Sequence, residues 1–77
     1  MSSLLYKDYT IRTGATRDEI TGEYAPTVQI AWQGVDGKRE THSFTLPKRC
    51  GTFYEANSVA LEEGKAWADR RLVHLGP

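Results

Sequence analysis

Side chains that could carry out covalent chemistry are concentrated in one short stretch of the sequence, PKRCGTFYE. This stretch contains the only cysteine, Cys50, directly after the cations Lys48 and Arg49. Adjacent cations and a helix N-terminus favour a reactive thiolate, but nucleophilic catalysis also requires a base and a group that orients it. His42 precedes Cys50 by eight residues, and His74 follows the predicted C-terminal helix. Neither histidine is expected to reach the thiol, so the sequence favours an ordinary Cys50.

The same two cations indicate a second kind of chemistry, an anion-binding corner. The first backbone N–H groups of a helix lack partners and attract anions, and Lys48 and Arg49 would add positive charge beside them. Thr52 followed three residues later by Glu55 matches a capping box, in which each side chain bonds the other residue's N–H. The Glu55 carboxylate then competes with an external anion. We therefore favour the alternative interpretation, in which this corner is a solvated turn without a bound anion.

The remaining residue types exclude several classes of site. One cysteine and two separated histidines match no spacing of zinc ligands. The sequence has no glycine-rich phosphate motif. No pair of candidate catalytic groups converges in the predicted layout. We therefore expect neither an enzyme nor a bound cofactor or metal.

Composition narrows the class of partner. Ten Lys and Arg residues balance ten Asp and Glu residues, whereas a dedicated nucleic-acid binder is usually basic overall. A local basic patch is still compatible with this balance. No apolar run approaches the roughly 20 residues that cross a bilayer, and the first ten residues, MSSLLYKDYT, lack the basic region of a secretory signal. We expect a cytoplasmic protein without a membrane partner.

Alternating side chains predict a first strand over residues 4–12. Leu5, Tyr9 and Ile11 fall on one side of this extended segment, where they would face a core. Lys7 interrupts the apolar side of the pattern. The sequence does not decide which of the later strands pairs with this one.

Two further strands are predicted over residues 27–33 and 38–46. Both segments alternate cleanly between apolar and polar side chains. Asp36 and Gly37 lie between them, and this dipeptide favours a hairpin turn because both positions tolerate positive φ. The two strands are therefore expected to pair antiparallel.

Residues 53–72 predict a helix, because they contain no proline and carry apolar residues at helical spacing. The contact stripe consists mostly of small residues between two aromatic ends: Phe53, Ala56, Ala60, Gly64 and Trp67. Small residues allow a helix to lie close to a sheet. Gly64 costs about 1 kcal/mol relative to alanine in a helix, and close packing would offset that cost.

These elements predict a single α+β domain over residues 1–77, in the order β-β-β-α. One C-terminal helix covers one face of a three-stranded antiparallel sheet and leaves the other face polar. We name this second surface the open sheet face. Its predicted members are Tyr6, Thr10, Arg12, Gln29, Gln33, Arg39, Thr41 and Ser43. The residues expected to contact a partner lie on this face and at the anion corner: Arg12, Gln29, Gln33, Arg39, Thr41, Lys48 and Arg49.

Two stretches, GKRETHSFTL and FYEANSVALEEGKAWA, resemble the small arm-type DNA-binding domains at the N-terminus of tyrosine-type phage integrases. The resemblance covers about half of the chain, and it implies a sheet that lies in the major groove and reads bases and phosphates. The side chains that match this role are Arg12, Gln29, Gln33, Arg39, Thr41 and Ser43. The neutral charge balance, with Asp8 and Glu40 on or near the strands, departs from that family.

A second resemblance runs along most of the chain. The stretches GEYAPTVQIAW, DGK, HSFTL and GKAWADRRL are similar to short stand-alone proteobacterial proteins in which a β-β-β-α unit is the entire protein. This resemblance implies the fold and a cytoplasmic bacterial origin. It implies no activity, because that group has no assigned site residues to carry over.

The sequence therefore favours a non-enzymatic binding or interaction module. Nucleic-acid binding through the open sheet face is the alternative. The partner is left open between another protein and a second copy of the chain, since an exposed edge strand can pair with its copy.

Overall fold

The computed structural model describes the backbone of residues 2–75 and the side chains of residues 2–73. It has four strands, β1 (Ser2–Tyr6), β2 (Tyr9–Arg17), β3 (Tyr24–Gln33) and β4 (Arg39–Thr45), followed by one helix, α1 (Phe53–Leu75). Each strand pairs antiparallel with the next, so the sheet order is β1-β2-β3-β4. The predicted α+β class, antiparallel sheet and C-terminal helix are confirmed, whereas the predicted number of three strands is wrong.

The additional strand arises from a tight turn inside the segment predicted as the first strand. Lys7 and Asp8 have positive φ values of 47° and 70°, and Tyr6 pairs with Tyr9 across them. Two consecutive residues with positive φ give the turn whose twist suits a two-residue hairpin. The reversal places Tyr6 on the helix side of the sheet. It turns Leu5, which is 74% exposed, toward the open sheet face, so both assignments are opposite to the prediction.

β2 continues to Arg17, five residues beyond the predicted end of the first strand. The turn that follows is organised by Asp18, whose Oδ1 accepts from the N–H groups of Ile20 and Thr21 at 2.8 and 3.3 Å. Gly22 has a φ of 76°, which glycine adopts without steric cost. The register of β2 with β3 shows that the predicted first strand pairs with the predicted second.

β3 and β4 form the predicted antiparallel hairpin. Its loop is closed by Gly34, whose N–H donates to the Lys38 C=O at 2.7 Å. Gly37 adopts the positive φ that the dipeptide suggested, at 82°. Asp36 contributes its side chain instead, because its Oδ1 accepts from the Lys38 N–H at 3.0 Å.

α1 packs across β2 and β3 with its small residues facing the sheet. Three of its alanines are fully buried: Ala56, Ala60 and Ala68. Gly64 approaches so closely that an added Cβ would lie 2.7 Å from Ile11 Cγ2 and 3.3 Å from Val28 Cγ1. The small stripe therefore serves the close contact expected of it, with Ala68 as an additional member.

Aromatic rings cover both ends of the contact between α1 and the sheet. At the C-terminal end of the helix, the centroids of Tyr9, Trp32 and Trp67 lie between 5.4 and 6.2 Å apart. At the N-terminal end, Phe53 meets Tyr24 edge-on at 6.0 Å. α1 is not long and apolar enough to cross a bilayer, and it is the one helix in residues 2–75.

Candidate binding surface

The open sheet face consists of side chains that point away from α1 on all four strands. One row crosses the whole sheet: Ser3, Arg12, Gln29 and Ser43. The next row is Leu5, Thr10, Ala31 and Thr41. Beyond it, Gln33 lies opposite Arg39. Neighbouring strands are about 4.8 Å apart, so these rows form one continuous and mostly polar surface.

The structure brings five of the residues predicted to bind a partner onto this face: Arg12, Gln29, Gln33, Arg39 and Thr41. All five are exposed. The two arginines line one small depression of about 10 Å³, room for about one water molecule, together with Thr10, Gln29 and Ala31. They are two strands and four residues apart in the register, which puts their Cα atoms roughly 16 Å from each other.

Neither Arg12 nor Arg39 forms an ion pair with an acidic side chain of residues 2–73. Among the side chains of residues 2–73, the single ion pair joins Lys7 Nζ to Asp69 Oδ1 at 2.9 Å. Arg12 and Arg39 make no side-chain hydrogen bond within this same part of the chain. Their donors are therefore open to external acceptors.

Two acidic residues that the sequence placed near the strands have different positions. Glu40 lies on the helix side of β4, where its Oε2 accepts from Trp32 Nε1 at 3.0 Å. Asp8 lies at the end of the open sheet face and lines a hollow with Gln33 and Arg39. Only one of the two carboxylates therefore opposes the positive charge of the face.

The open sheet face extends past the row of Arg12 to residues outside the predicted binding set. Gly14, Thr27 and Thr45 continue the face beyond the row of Arg12 and line a second hollow with it. Gly14 has no side chain, so no side-chain atoms cover the sheet backbone at that position. The alternation that assigned Gln29 to this face also assigns Thr27 to it, because the two residues are two positions apart.

Lys48 and Arg49 do not lie on the open sheet face. Both are exposed in the loop between β4 and α1. The pKa of Asp18 lies below its ordinary value, mainly because the N–H groups of Ile20 and Thr21 donate to its carboxylate, with a smaller contribution from the positive charge of Arg49. The backbone of Cys50 pairs with that of Tyr24, so the predicted anion corner lies beside the turn between β2 and β3.

One half of the predicted capping box forms at the N-terminus of α1, whereas no hydrogen bond from the Thr52 N–H to the Glu55 carboxylate is present among residues 2–73. Thr52 Oγ1 accepts from the Glu55 N–H at 3.1 Å, which satisfies one of the free donors of the first turn. A bound anion at this corner, with Lys48 and Arg49 beside it, stays a prediction.

Cys50 and His42 do not have the surroundings of a nucleophile and its base. Cys50 is 2% exposed, and its N–H and C=O both bond to Tyr24 at 2.8 Å. His42 stacks on Trp67 with ring centroids 5.0 Å apart and planes 15° apart. Among residues 2–73, no three His, Cys, Asp or Glu side chains lie close enough together to hold a metal ion. The side chain of His74 is outside the described part of the chain.

Asp69 connects the turn between β1 and β2 to the helix. The Tyr6 hydroxyl donates to both carboxylate oxygens at 3.0 Å, and Lys7 Nζ donates to Oδ1 at 2.9 Å. The bond from Lys7, followed by that from Tyr6, lowers the pKa of Asp69. The pKa of Lys7 is raised, first by its bond to Asp69 and then by its contact with Tyr6. No local sequence pattern indicates this cluster, because Asp69 is 62 residues from Lys7 and 63 residues from Tyr6.

Comparison of the chain with protein-family models, with curated proteins and with solved structures found no significant match. The open sheet face is therefore interpreted from its own geometry.

Proposed function

We propose that this protein is a non-enzymatic binding module and that the open sheet face is its contact surface. The observation that carries the proposal is the pair of exposed arginines, Arg12 and Arg39, which line one depression and have no ion-pair partner in residues 2–73. A guanidinium presents five donors in a fixed planar arrangement and is favoured in the recognition of carboxylates and phosphates. The ligand of such a surface is expected to carry negative charge.

The non-enzymatic part of the proposal is supported by the positions of the reactive side chains. Cys50 is buried, and the ring of His42 is stacked on Trp67. The open sheet face itself carries arginine, amide and hydroxyl side chains, which hydrogen-bond a ligand but do not supply a nucleophile with a base. Recognition is thus the role that fits these residues.

Nucleic acid is the second candidate, as a specific ligand of this surface. The major groove, which is about 12 Å wide, admits a two-stranded β-ribbon, so two neighbouring strands of this sheet could enter it. Arg12 and Arg39, with Cα atoms roughly 16 Å apart, are spaced to reach the phosphates on both sides of such a groove. Gln29 lies in the row between the edges of the sheet and can donate and accept toward a base edge.

The test measures the anisotropy of a labelled DNA duplex and a labelled single-stranded RNA as the full chain is added at several salt concentrations. Affinity is expected to fall linearly with the logarithm of salt concentration, because each neutralised phosphate releases counterions. Arg12→Ala and Arg39→Ala should each reduce the salt slope by about 1. Arg70→Ala is the matched control, because Arg70 is an exposed arginine on α1, away from the open sheet face.

An acidic peptide serves as a second probe in the same assay, since the same arginines pair with carboxylates. If the acidic peptide binds but neither nucleic acid binds at low salt, nucleic acid is excluded as the ligand, and the proposal of a binding module still stands. Binding of neither probe, or equal losses for Arg70→Ala and Arg39→Ala, would contradict the proposal that the open sheet face is the contact surface.

A further inference from the structure

β4 is an edge strand that α1 leaves uncovered. The helix packs on β1, β2 and β3, and six of the seven residues of β4 are exposed. Phe44 is half-buried. His42 is exposed even though it faces the helix side, where one face of its ring covers Trp67. The whole strand is thus accessible to another chain.

The backbone of β4 alternates between β3 and the free edge. Gly34 N–H donates to Lys38 C=O at 2.7 Å, and Leu46 N–H donates to Pro26 C=O at 2.9 Å. Hydrogen-bonded positions in an antiparallel pair recur every second residue, so the even-numbered residues of β4 bond to β3. The groups that point to the free edge therefore belong to the odd-numbered residues: Arg39, Thr41, Ser43 and Thr45.

This edge lacks the features that commonly block strand pairing. Edge strands are protected by proline, by a bulge or by a charged side chain that points inward. β4 contains no proline, and its register with β3 is uninterrupted over all seven residues. Its two charged residues, Arg39 and Glu40, are both at one end. β1, the opposite edge, has five residues, so β4 offers the longer ladder.

We propose that β4 pairs antiparallel with β4 of a second copy of this chain, about a two-fold axis at His42. In this register Thr41 lies opposite Ser43 of the second copy, and Arg39 lies opposite Thr45. These are the odd-numbered residues, so the groups left free in one chain are the ones that bond to the other. A contact of this kind uses the same strand in both copies and closes after two chains.

The side chains of this register are compatible with one another. Hydroxyl side chains that face each other stabilise an antiparallel pair, whereas like charges directly opposite destabilise it. Thr41 and Ser43 supply the hydroxyls. Arg39 faces a threonine, Glu40 faces Phe44, and His42 at the axis faces His42 of the second copy, so no arginine or carboxylate lies opposite a residue of like charge. The residues that face each other in this register therefore do not oppose pairing of the two strands.

The test is sedimentation equilibrium of the full chain from micromolar to millimolar concentration. The parent is expected to dimerise as its concentration rises. Ser43→Pro removes one N–H from the free edge and none from the ladder with β3, and the two-fold axis makes the loss count twice. It should weaken dimerisation at least about tenfold. Ser43→Ala is the matched control, because it keeps the N–H, and it should stay within about threefold of the parent.

A second variant distinguishes a loss of dimerisation from a folding defect caused by proline. Thr41→Lys with Ser43→Lys places like charges opposite each other across the proposed axis, at exposed positions that the chain itself does not need for packing. This variant should keep the far-ultraviolet circular dichroism of the parent and be monomeric. A parent that stays monomeric at millimolar concentration would overturn the proposal. A dimer that survives both changes would assign the contact to another surface and overturn it as well.

Discussion

Replacing Gly64 with alanine brings two opposing effects of similar size into competition. Alanine is favoured over glycine in a helix interior by about 1 kcal/mol. Against this, the added Cβ would lie 2.7 Å from Ile11 Cγ2 and 3.3 Å from Val28 Cγ1, whereas carbon atoms pack best at about 3.5–4.0 Å. The new methyl group therefore has no room unless the helix moves away from the sheet.

The size of the destabilisation depends on how far the neighbouring side chains can move to make room for the new methyl group. Ile11 is fully buried, and its β-branched side chain has a restricted χ1. Overpacking a dense core costs about 1–3 kcal/mol, and so short a contact belongs in the upper half of that range. After the gain in helix propensity, Gly64→Ala should lower the free energy of unfolding by about 1–2 kcal/mol. For a domain of this size the Tm should fall by roughly 4–16 °C.

Thermal and urea unfolding, followed by circular dichroism, measure this change. Gly51→Ala is the matched control, because an added Cβ there meets no atom within 4 Å, and its Tm should stay near that of the parent. In an Ile11→Ala background the obstructing Cγ2 is absent, so Gly64→Ala should stabilise the protein. A Gly64→Ala variant of the parent that gains about 1 kcal/mol would refute the reasoning, because helix propensity would then act unopposed.

Two further predictions concern polar contacts between the sheet and α1. Asp69→Asn should make the free energy of unfolding depend less on pH in the acidic range. The bond from Lys7 is the main cause that lowers the pKa of Asp69 below its ordinary 3.8. The stabilisation that ionised Asp69 provides is therefore complete above pH 3.8 and is lost as the pH falls through the lower pKa of the folded state. Urea midpoints across acidic pH measure this, and parallel curves for parent and variant would contradict it. Thr13→Val should lower the free energy of unfolding by about 1–3 kcal/mol, because Thr13 is 2% exposed and donates to Asn57 Oδ1 at 2.7 Å. Thr41→Val, at an exposed position, should change it by less than about 0.5 kcal/mol in the same urea titration.

Elements with strong local patterns could be predicted from the sequence. α1 begins at Phe53 as expected, because Thr52 and Glu55 mark a helix N-terminus, and it ends at Leu75, three residues later than predicted. The hairpin of β3 and β4 was predictable for the same reason, since both strands alternate and Gly37 supplies the positive φ between them.

The turn at Lys7 and Asp8 could not be predicted in this way. Residues with positive φ in such turns are normally Gly, Asn or Asp, and lysine gives no such signal. In the folded chain Lys7 Nζ bonds to Asp69 Oδ1 at 2.9 Å and lies 5.1 Å from the centroid of the Tyr6 ring. Contacts with a residue 62 positions away thus offset the local strain, and no local pattern reports them.

The membership of the open sheet face was largely predictable, because alternation alone assigns a side chain to one face of a sheet. The exceptions, Leu5 and Tyr6, changed faces because the undetected turn resets the alternation between β1 and β2. Alternation does not show which residues lie opposite each other on neighbouring strands. The depression shared by Arg12 and Arg39 depends on that register and is visible only in the folded chain.

The alternation along β4 assigns two properties of the molecule to the same residues. Arg39, Thr41, Ser43 and Thr45 present their side chains on the open sheet face and their backbone groups at the free edge. A ligand long enough to cross from one copy of the proposed dimer to the other would contact the residues whose backbone groups would join the two copies. Ligand binding and dimerisation are then thermodynamically linked, so each must strengthen the other by the same factor. A weak contact between two β4 strands would suffice, because a ligand that holds two copies side by side raises their effective concentration.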